Sequence, residues 1–240
     1  MKQKGFTLAE VLITLGIIGV VAAMTLPALI QKYEKQVTVT RLQTTYSTFS
    51  QAIKMSESEN GTIDTWNIPN SDWGAETYTS GKEFAEKYIL PYMKIVKKCE
   101  HRSNDCMSSD SYNLDGSKSD YTTANTNNTY NIALKNGVVA SFWTRENLTE
   151  IYIDINGKQK PNTKGKDQFG LLLVKNPDLI KLSAFGKFSK PGLYFYGHGY
   201  DRDYLKTNGY PCAKTGTLAG NYCGALIMLD GWEIKDDYPW

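Results

Sequence analysis

Residues 4–10 read Lys4-Gly5-Phe6-Thr7-Leu8-Ala9-Glu10, and the apolar run they open continues as VLITLGIIGVVAAMTLPALI to Ile30. Between Phe6 and Ile30 the only charge is Glu10. As a helix the run extends about 37 Å at 1.5 Å per residue, enough to cross a hydrocarbon core of about 30 Å. Lys2 and Lys4 precede it, so the positive-inside bias places the N-terminus in the cytoplasm and the body across the membrane. Pro27 removes a backbone donor and clashes with the preceding turn, which predicts an interrupted helix there. Gly16 and Gly19 loosen the same helix or allow close approach of a second one.

Working outward, the pattern turns amphipathic after Ile30. Val39, Leu42, Tyr46, Phe49 and Ile53 follow a 3-4-3-4 spacing that marks one helical face, and the pattern ends at Ser56-Glu-Ser-Glu-Asn-Gly61. One helix from Phe6 to about Ser58 is therefore expected, its second half laid on a sheet. A polar stretch with Trp66 and Trp73 follows. A short helix is then expected over Lys82–Ile89, with Phe84, Ala85 and Tyr88 on one side, stopped by Leu90-Pro91. Lys94, Lys97 and Lys98 read as a solvated helix face. Residues 99–128, rich in Ser, Asn, Asp and Thr, read as a long loop.

Strand signals come next. Tyr130–Lys135 and Val138–Trp143 flank Asn136-Gly137, a pairing suited to a type I′ hairpin turn. Ile151–Ile155 and Phe169–Val174 are two further strands. Helix first and antiparallel strands after is an α+β order. No internal repeat is apparent. The expected division is residues 1–5, a short basic start that the family resemblance given below implies is a leader; 6–30, a membrane-spanning helix; 31–58, its amphipathic continuation; and 59–240, an extracytoplasmic globular α+β domain.

The composition limits function. Lys and Arg total 27 against 25 Asp and Glu. Without Lys2 and Lys4 the 27 become 25, so the body is balanced. A nucleic-acid partner is thereby disfavoured, because phosphate binding needs clustered cations. Four cysteines form two local pairs in sequence, Cys99 with Cys106 and Cys212 with Cys223. Three connectivities are open, and the local pairing is preferred because each closes a short polar loop. Such bridges, each worth about 2–4 kcal/mol, belong to an oxidising compartment. Zinc fits poorly, with no C-x-x-C and only His101 and His198 in the chain.

Three uses of the apolar run compete. A secretory signal peptide fits the basic start, the apolar core and Val21-Ala22-Ala23 as a cleavage site. An uncleaved anchor fits equally. Neither gives Glu10 a partner, and a carboxylate in a membrane span is costly without one. The third reading does. Lys4-Gly5-Phe6-Thr7-Leu8-Ala9-Glu10 closely resembles the prepilin processing motif of type IV pilins and type II secretion pseudopilins. The resemblance implies a membrane peptidase that cuts after Gly5 and methylates the new terminal Phe6. It implies that Glu10, five residues into the mature chain, neutralises the Phe6 amine of a neighbouring subunit, fixing register in a filament. It further implies melting of the helix near Pro27 on assembly. Glycine at the cut lets a protease approach the backbone.

The expected partners are the prepilin peptidase, other pilin or pseudopilin subunits in a homo- or hetero-polymer, and an inner-membrane assembly platform. The precursor is expected in the inner membrane, and the product in a periplasmic or cell-surface filament, with a type II secretion pseudopilin favoured over a surface pilus.

Two stretches of the body invite a site. In Asp154-Ile-Asn156-Gly157…Asn162…Asp167 the oxygen-bearing Asp154, Asn156, Asn162 and Asp167 suit calcium, which takes 6–8 oxygens. This is not an EF-hand, since the bidentate twelfth-position Glu is missing. The stretch is similar to one in pilin-like secretion proteins. The alternative is plain turn chemistry, which four lysines in the loop favour. No cofactor is required on either account. The second stretch, Tyr196-Gly-His198-Gly-Tyr200 near Asp201 and Asp203, lacks a nucleophile elbow, phosphate loop or metalloprotease pair, so no enzyme is expected. A signal-anchored binding or hydrolytic domain is the alternative. After Cys223, Ala225–Leu229 is expected to enter the core, and Asp230-Gly231 to turn the chain into a last strand around Ile234.

Overall fold

The computed structural model describes residues 7–71, 75–100, 105–108, 110–119, 129–180 and 182–240. Helix α1 runs over Leu8–Asn60. The chain divides into two compact units, Met1–Val37 and Thr38–Trp240. In the first, α1 is long and apolar enough to cross a membrane, and its large side chains, from Leu8 to Ile30, are exposed. The helix passes through Pro27 without a break, contrary to the interruption expected there. A proline costs one hydrogen bond and some strain, but an apolar helix keeps the bonds of every flanking turn.

In the second unit the expected 3-4 stripe becomes one wall of the core. Leu42 and Phe49 are fully buried and Ile53 nearly so. Six antiparallel strands form a single meander in chain order: β1 Ile95–Lys98, β2 Tyr130–Leu134, β3 Val139–Arg145, β4 Leu148–Asp154, β5 Gln168–Val174 and β6 Gly192–Phe195. The Phe49 ring lies 6.4 Å from Phe142 on β3, and Tyr46 stacks on Phe195 of β6 at 5.2 Å. Tyr46 also donates its hydroxyl to Leu193 O at 3.0 Å. Since strand side chains alternate, Phe142, its partner Ile151 and the next partner Leu171 share the α1 face.

Helix α2, Ala75–Tyr88, starts earlier than expected and ends at the expected place. It packs near β3 at Gly81, where an added Cβ would stand 2.6 Å from Phe142 O. Trp66 is buried, stacked on Tyr88 at 4.5 Å; Trp73 lies outside the described residues. Lys97 and Lys98 belong to edge strand β1, not to a helix, and pair with Asp105 and Glu86. Charge on an edge discourages pairing with other chains.

The β2–β3 turn differs from the type I′ expectation. Gly137 has φ 87° but Asn136 is not among the residues of positive φ. Gly137 N donates to Leu134 O at 3.0 Å and Leu134 N to Val138 O at 2.8 Å. This is a three-residue loop, a type I turn closed by glycine in the left-handed region.

The tail also departs from its expected strand. Ala225, Leu226 and Ile227 enter the core as part of helix α4, Cys223–Leu229, after a short α3, Arg202–Thr207, whereas Leu229, expected to enter with them, is exposed. Among the described residues no strand follows β6. Positive φ at both Gly231 (79°) and Trp232 (63°) prevents an extended ladder there. The C-terminal strap is instead tied down by ion pairs of Arg202 and Lys206 with Asp237, and of Lys235 and Arg202 with Asp230.

Candidate functional site

Gly5 and Phe6, the expected processing residues, lie outside the described residues. The next residue already belongs to a recognisable device. Thr7 N and Thr7 Oγ1 both donate to Glu10 Oε2, at 2.8 and 2.7 Å, while Glu10 N donates to Thr7 Oγ1 at 3.3 Å. Thr7-x-x-Glu10 is thus a capping box, satisfying donors that a helix start leaves open. The carboxylate thus has a hydrogen-bond partner within its own chain, in addition to the neighbouring Phe6 amine that the resemblance implies. Its role toward a neighbour must be compatible with this cap. Pro27 lies seventeen residues on, inside the continuous helix.

The second candidate is the connection between β4 and β5. Asp154 ends β4 and Gln168 begins β5, and the two are cross-strand neighbours. Both are buried, as are Asn162 and Asp167, with Asn156 half-buried. Gly157, Asn162 and Gly165 adopt left-handed φ values of 70°, 51° and 79°, which fold the loop back on itself.

Asp167 Oδ2 accepts from Asn162 N at 2.7 Å, and Oδ1 from Thr163 N at 2.5 Å. Asp154 Oδ1 accepts from Asn156 N, and Oδ2 from Gln168 Nε2, both at 3.2 Å. Gln168 is held in turn by Ser111, whose hydroxyl donates to Gln168 Oε1 at 2.5 Å. Tyr112 joins the loop as a short ladder, donating N–H to Asn162 O and accepting from Lys164 N. The segment read as free loop before Asn128 is therefore pinned here over its described part; residues 120–128 lie outside the described residues.

This loop carries an electrostatic deficit. Burial and the neighbouring Asp167 charge push Asp154 up to about 8, and burial pushes Asp167 up to about 6 against the amides of Thr163 and Asn162. The salt bridges among the described residues include none from a loop lysine to either carboxylate. In addition, Asn156 Oδ1 and Asn162 Oδ1 are buried without a hydrogen-bond donor. An orphaned buried acceptor costs about 1–3 kcal/mol. A hard cation would relieve both deficits at once, and the donor set, all oxygen, is of the kind calcium takes. Among the described residues no group of three His, Cys, Asp or Glu side chains gathers to hold a metal, so amide and backbone oxygens would have to complete the shell.

The other candidates dissolve into structure. His198 packs against Tyr194 at 4.4 Å and Phe188 at 6.1 Å, burial holding its pKa below the usual value. Asp201 caps α3 by accepting from Tyr204 N at 2.8 Å. His101 lies outside the described residues. The cysteines pair locally as preferred, Cys99 with Cys106 and Cys212 with Cys223.

One group escaped the sequence reading. Glu150, buried in mid-β4, accepts from Arg145 Nε at 2.7 Å, from Tyr152 Oη at 2.8 Å and from the wholly buried Tyr196 hydroxyl. Arg145 stacks over Trp143 at 4.1 Å. The expected strand began at Ile151, which left Glu150 outside it; with β4 starting at Leu148, alternation puts Glu150, Tyr152 and Asp154 on one face.

A model of a family of unknown function, DUF6613, matches residues 28–240, and the prokaryotic N-terminal methylation motif matches residues 1–26. The chain is similar to prepilin peptidase-dependent protein D of Escherichia coli (strain K12), 34% identical over 64 residues, which cover 27% of this chain and 43% of that protein. It is also similar to a fimbrial protein of Neisseria meningitidis serogroup B (strain ATCC BAA-335 / MC58), 28% identical over 95 residues, 40% of this chain and 49% of the relative. The chain thus spans less than half the length of either relative. No solved structure matches it.

Proposed function

This chain belongs to the DUF6613 family and is type IV pilin-like, carrying a prepilin methylation motif at residues 1–26, and on that premise we propose that it is a structural filament subunit of the type II secretion pseudopilin kind. Prepilin peptidase cuts it after Gly5 and methylates Phe6. The apolar half of α1 holds the precursor in the inner membrane and later packs against other pilin or pseudopilin subunits on the assembly platform. The observation that carries this reading is that one helix serves two solvents. Up to Ile30 its large apolar side chains stand exposed, while from Thr38 the same helix builds the core of a disulfide-bonded body. A removable signal would leave that body without continuity into the membrane. We take the body to serve assembly rather than catalysis; in support, among the described residues His198 packs against Tyr194 and Phe188 and Asp201 caps α3.

Co-expression with the peptidase, followed by mass spectrometry of the mature N-terminus, tests the reading. N-methylated Phe6 is expected, and a terminus at Met1 or Met24 overturns it. Secretion assays beside imaging of surface filaments in a deletion strain separate a secretion pseudopilus from a surface pilus.

We also propose that Asp154, Asn156, Asn162 and Asp167 hold a structural calcium ion. The unpartnered buried amide oxygens of Asn156 and Asn162 support it. Isothermal titration of the full chain in detergent with calcium, and with magnesium as control, tests this; a chain that takes up no calcium after chelator treatment refutes it.

A further inference from the structure

Between the ligand residues Asn162 and Asp167, two consecutive backbone carbonyls are gripped from outside the loop. Tyr238, two residues before Trp240 and buried, donates its hydroxyl to Gly165 O. Thr38, the first residue of the body, donates Oγ1 to Lys166 O at 3.2 Å. The Lys166 ammonium stands 5.4 Å over the Trp240 ring. The strap bearing Tyr238 is fixed elsewhere by Trp232, 5.9 Å from Tyr46 of α1, and by Asp237 on Arg202 and Lys206. Two segments far apart in sequence thus converge on the residues that set the spacing between Asn162 and Asp167.

We propose that the C-terminal strap, residues 232–240, is the closure of the cation loop, with Tyr238 as its positioning residue. Cation binding and strap docking are then one coupled equilibrium. The proposal rests on the calcium reading given above, but it goes beyond it by assigning a part to residues that carry no ligand atom. The physical argument is local. A loop that must present four side chains within about 0.5 Å of a productive arrangement needs its backbone locked by neighbouring contacts. Gly165, with φ 79°, is the most deformable residue of the stretch, and the Tyr238 hydroxyl bonds the carbonyl of that residue. Coupling is reciprocal by thermodynamic linkage: if the strap tightens the site, an occupied site must hold the strap.

Two measurements on the full chain in detergent test this, with calcium itself as the probe. Tyr238→Phe keeps the ring and removes the hydroxyl, so its calcium Kd is expected to rise by about 3- to 10-fold, the worth of one hydrogen bond. In the unaltered chain, calcium is expected to slow amide exchange at Tyr238 and Trp240, and this slowing should vanish in Asp167→Asn. The exchange arm needs no substitution at Tyr238, so it stands even if that variant folds poorly. Calcium bound with equal affinity by the chain and by Tyr238→Phe, with exchange in the strap indifferent to calcium, overturns the coupling and leaves the cation site intact. No calcium uptake by the unaltered chain overturns both.

Discussion

Gly81→Ala is a substitution on which two opposed effects can be weighed. In a free helix the change stabilises by about 0.8–1.0 kcal/mol, because glycine has more backbone freedom to lose. Here the new methyl would stand 2.6 Å from Phe142 O and 3.4 Å from Phe142 C and Tyr130 Cβ. The nearest atom is backbone in the middle of a six-stranded sheet, so it cannot swing aside as a side chain end would. Relief to an ordinary C···O contact of about 3.3 Å requires α2 and β3 to part by roughly 0.7 Å. A gap of that size forfeits a quarter to a half of each dispersion contact across it, and it opens beneath Phe84, Ala85 and Tyr88, all buried. Overpacking of this sort costs about 1–3 kcal/mol. With a backbone atom at 2.6 Å the cost sits in the upper half of that range, about 2–3 kcal/mol, so the clash wins by about 1–2 kcal/mol, or a Tm lower by about 2–8 °C in a chain of this size. Thermal unfolding followed by the fluorescence of buried Trp66, which stacks on Tyr88, reads the same region. Thr79→Ala, exposed on the same helix, is the control and should gain slightly. A Gly81→Ala chain as stable as the original would refute the claim that α2 and β3 meet through backbone.

Three further outcomes are expected. Asp154 and Asp167 both titrate above their ordinary value, at about 8 and about 6, so the folded state binds protons more tightly than the unfolded one. Their contribution is present in full below pH about 4 and is lost as pH rises through 6 and then 8; Tm in chelator should therefore fall across that window, and calcium should flatten the fall. A Tm in chelator that rises from pH 5 to 8.5 contradicts it. Glu150→Gln leaves the shape but not the charge that Tyr152 and Tyr196 bond to, and should cost about 2–3 kcal/mol by urea unfolding; the half-exposed Arg145 adds little. Glu10→Gln keeps an oxygen for the cap on Thr7 but no charge, so assembly, measured as sheared filament on an immunoblot, should be lost. Assembly retained in Glu10→Gln and lost in Thr7→Val would assign Glu10 to the cap alone.

The legible parts of this protein were those governed by neighbours in sequence. Helix α1 follows from unbroken apolarity and then a 3-4 stripe, and β2 to β5 follow from short apolar runs between turn signals. The ends of the sheet were not legible. Strand β1 carries two lysines and β6 reads Gly-Leu-Tyr-Phe, and each becomes a strand only because an established edge offers it hydrogen bonds. Nor was the fate of the tail, where residues 223–229 become a helix under a disulfide.

At the candidate loop, the sequence by itself determined which oxygens are available, Asp154, Asn156, Asn162 and Asp167, and likewise that an apolar helix follows Gly5. Only the tertiary structure decided that two of those oxygens are orphaned, that the carboxylates are buried, and that Tyr238 and Thr38 bond the carbonyls of Gly165 and Lys166. The reason is that residue type and spacing are properties of the chain, whereas burial and partnership belong to contacts between segments as distant as Thr38 and Lys166. The same division holds at the membrane end. The motif Gly5-Phe6-Thr7-Leu8-Ala9-Glu10 is written in the chain, but the carboxylate's engagement with Thr7 appears only once the backbone has turned into a helix and brought residues three apart onto one side.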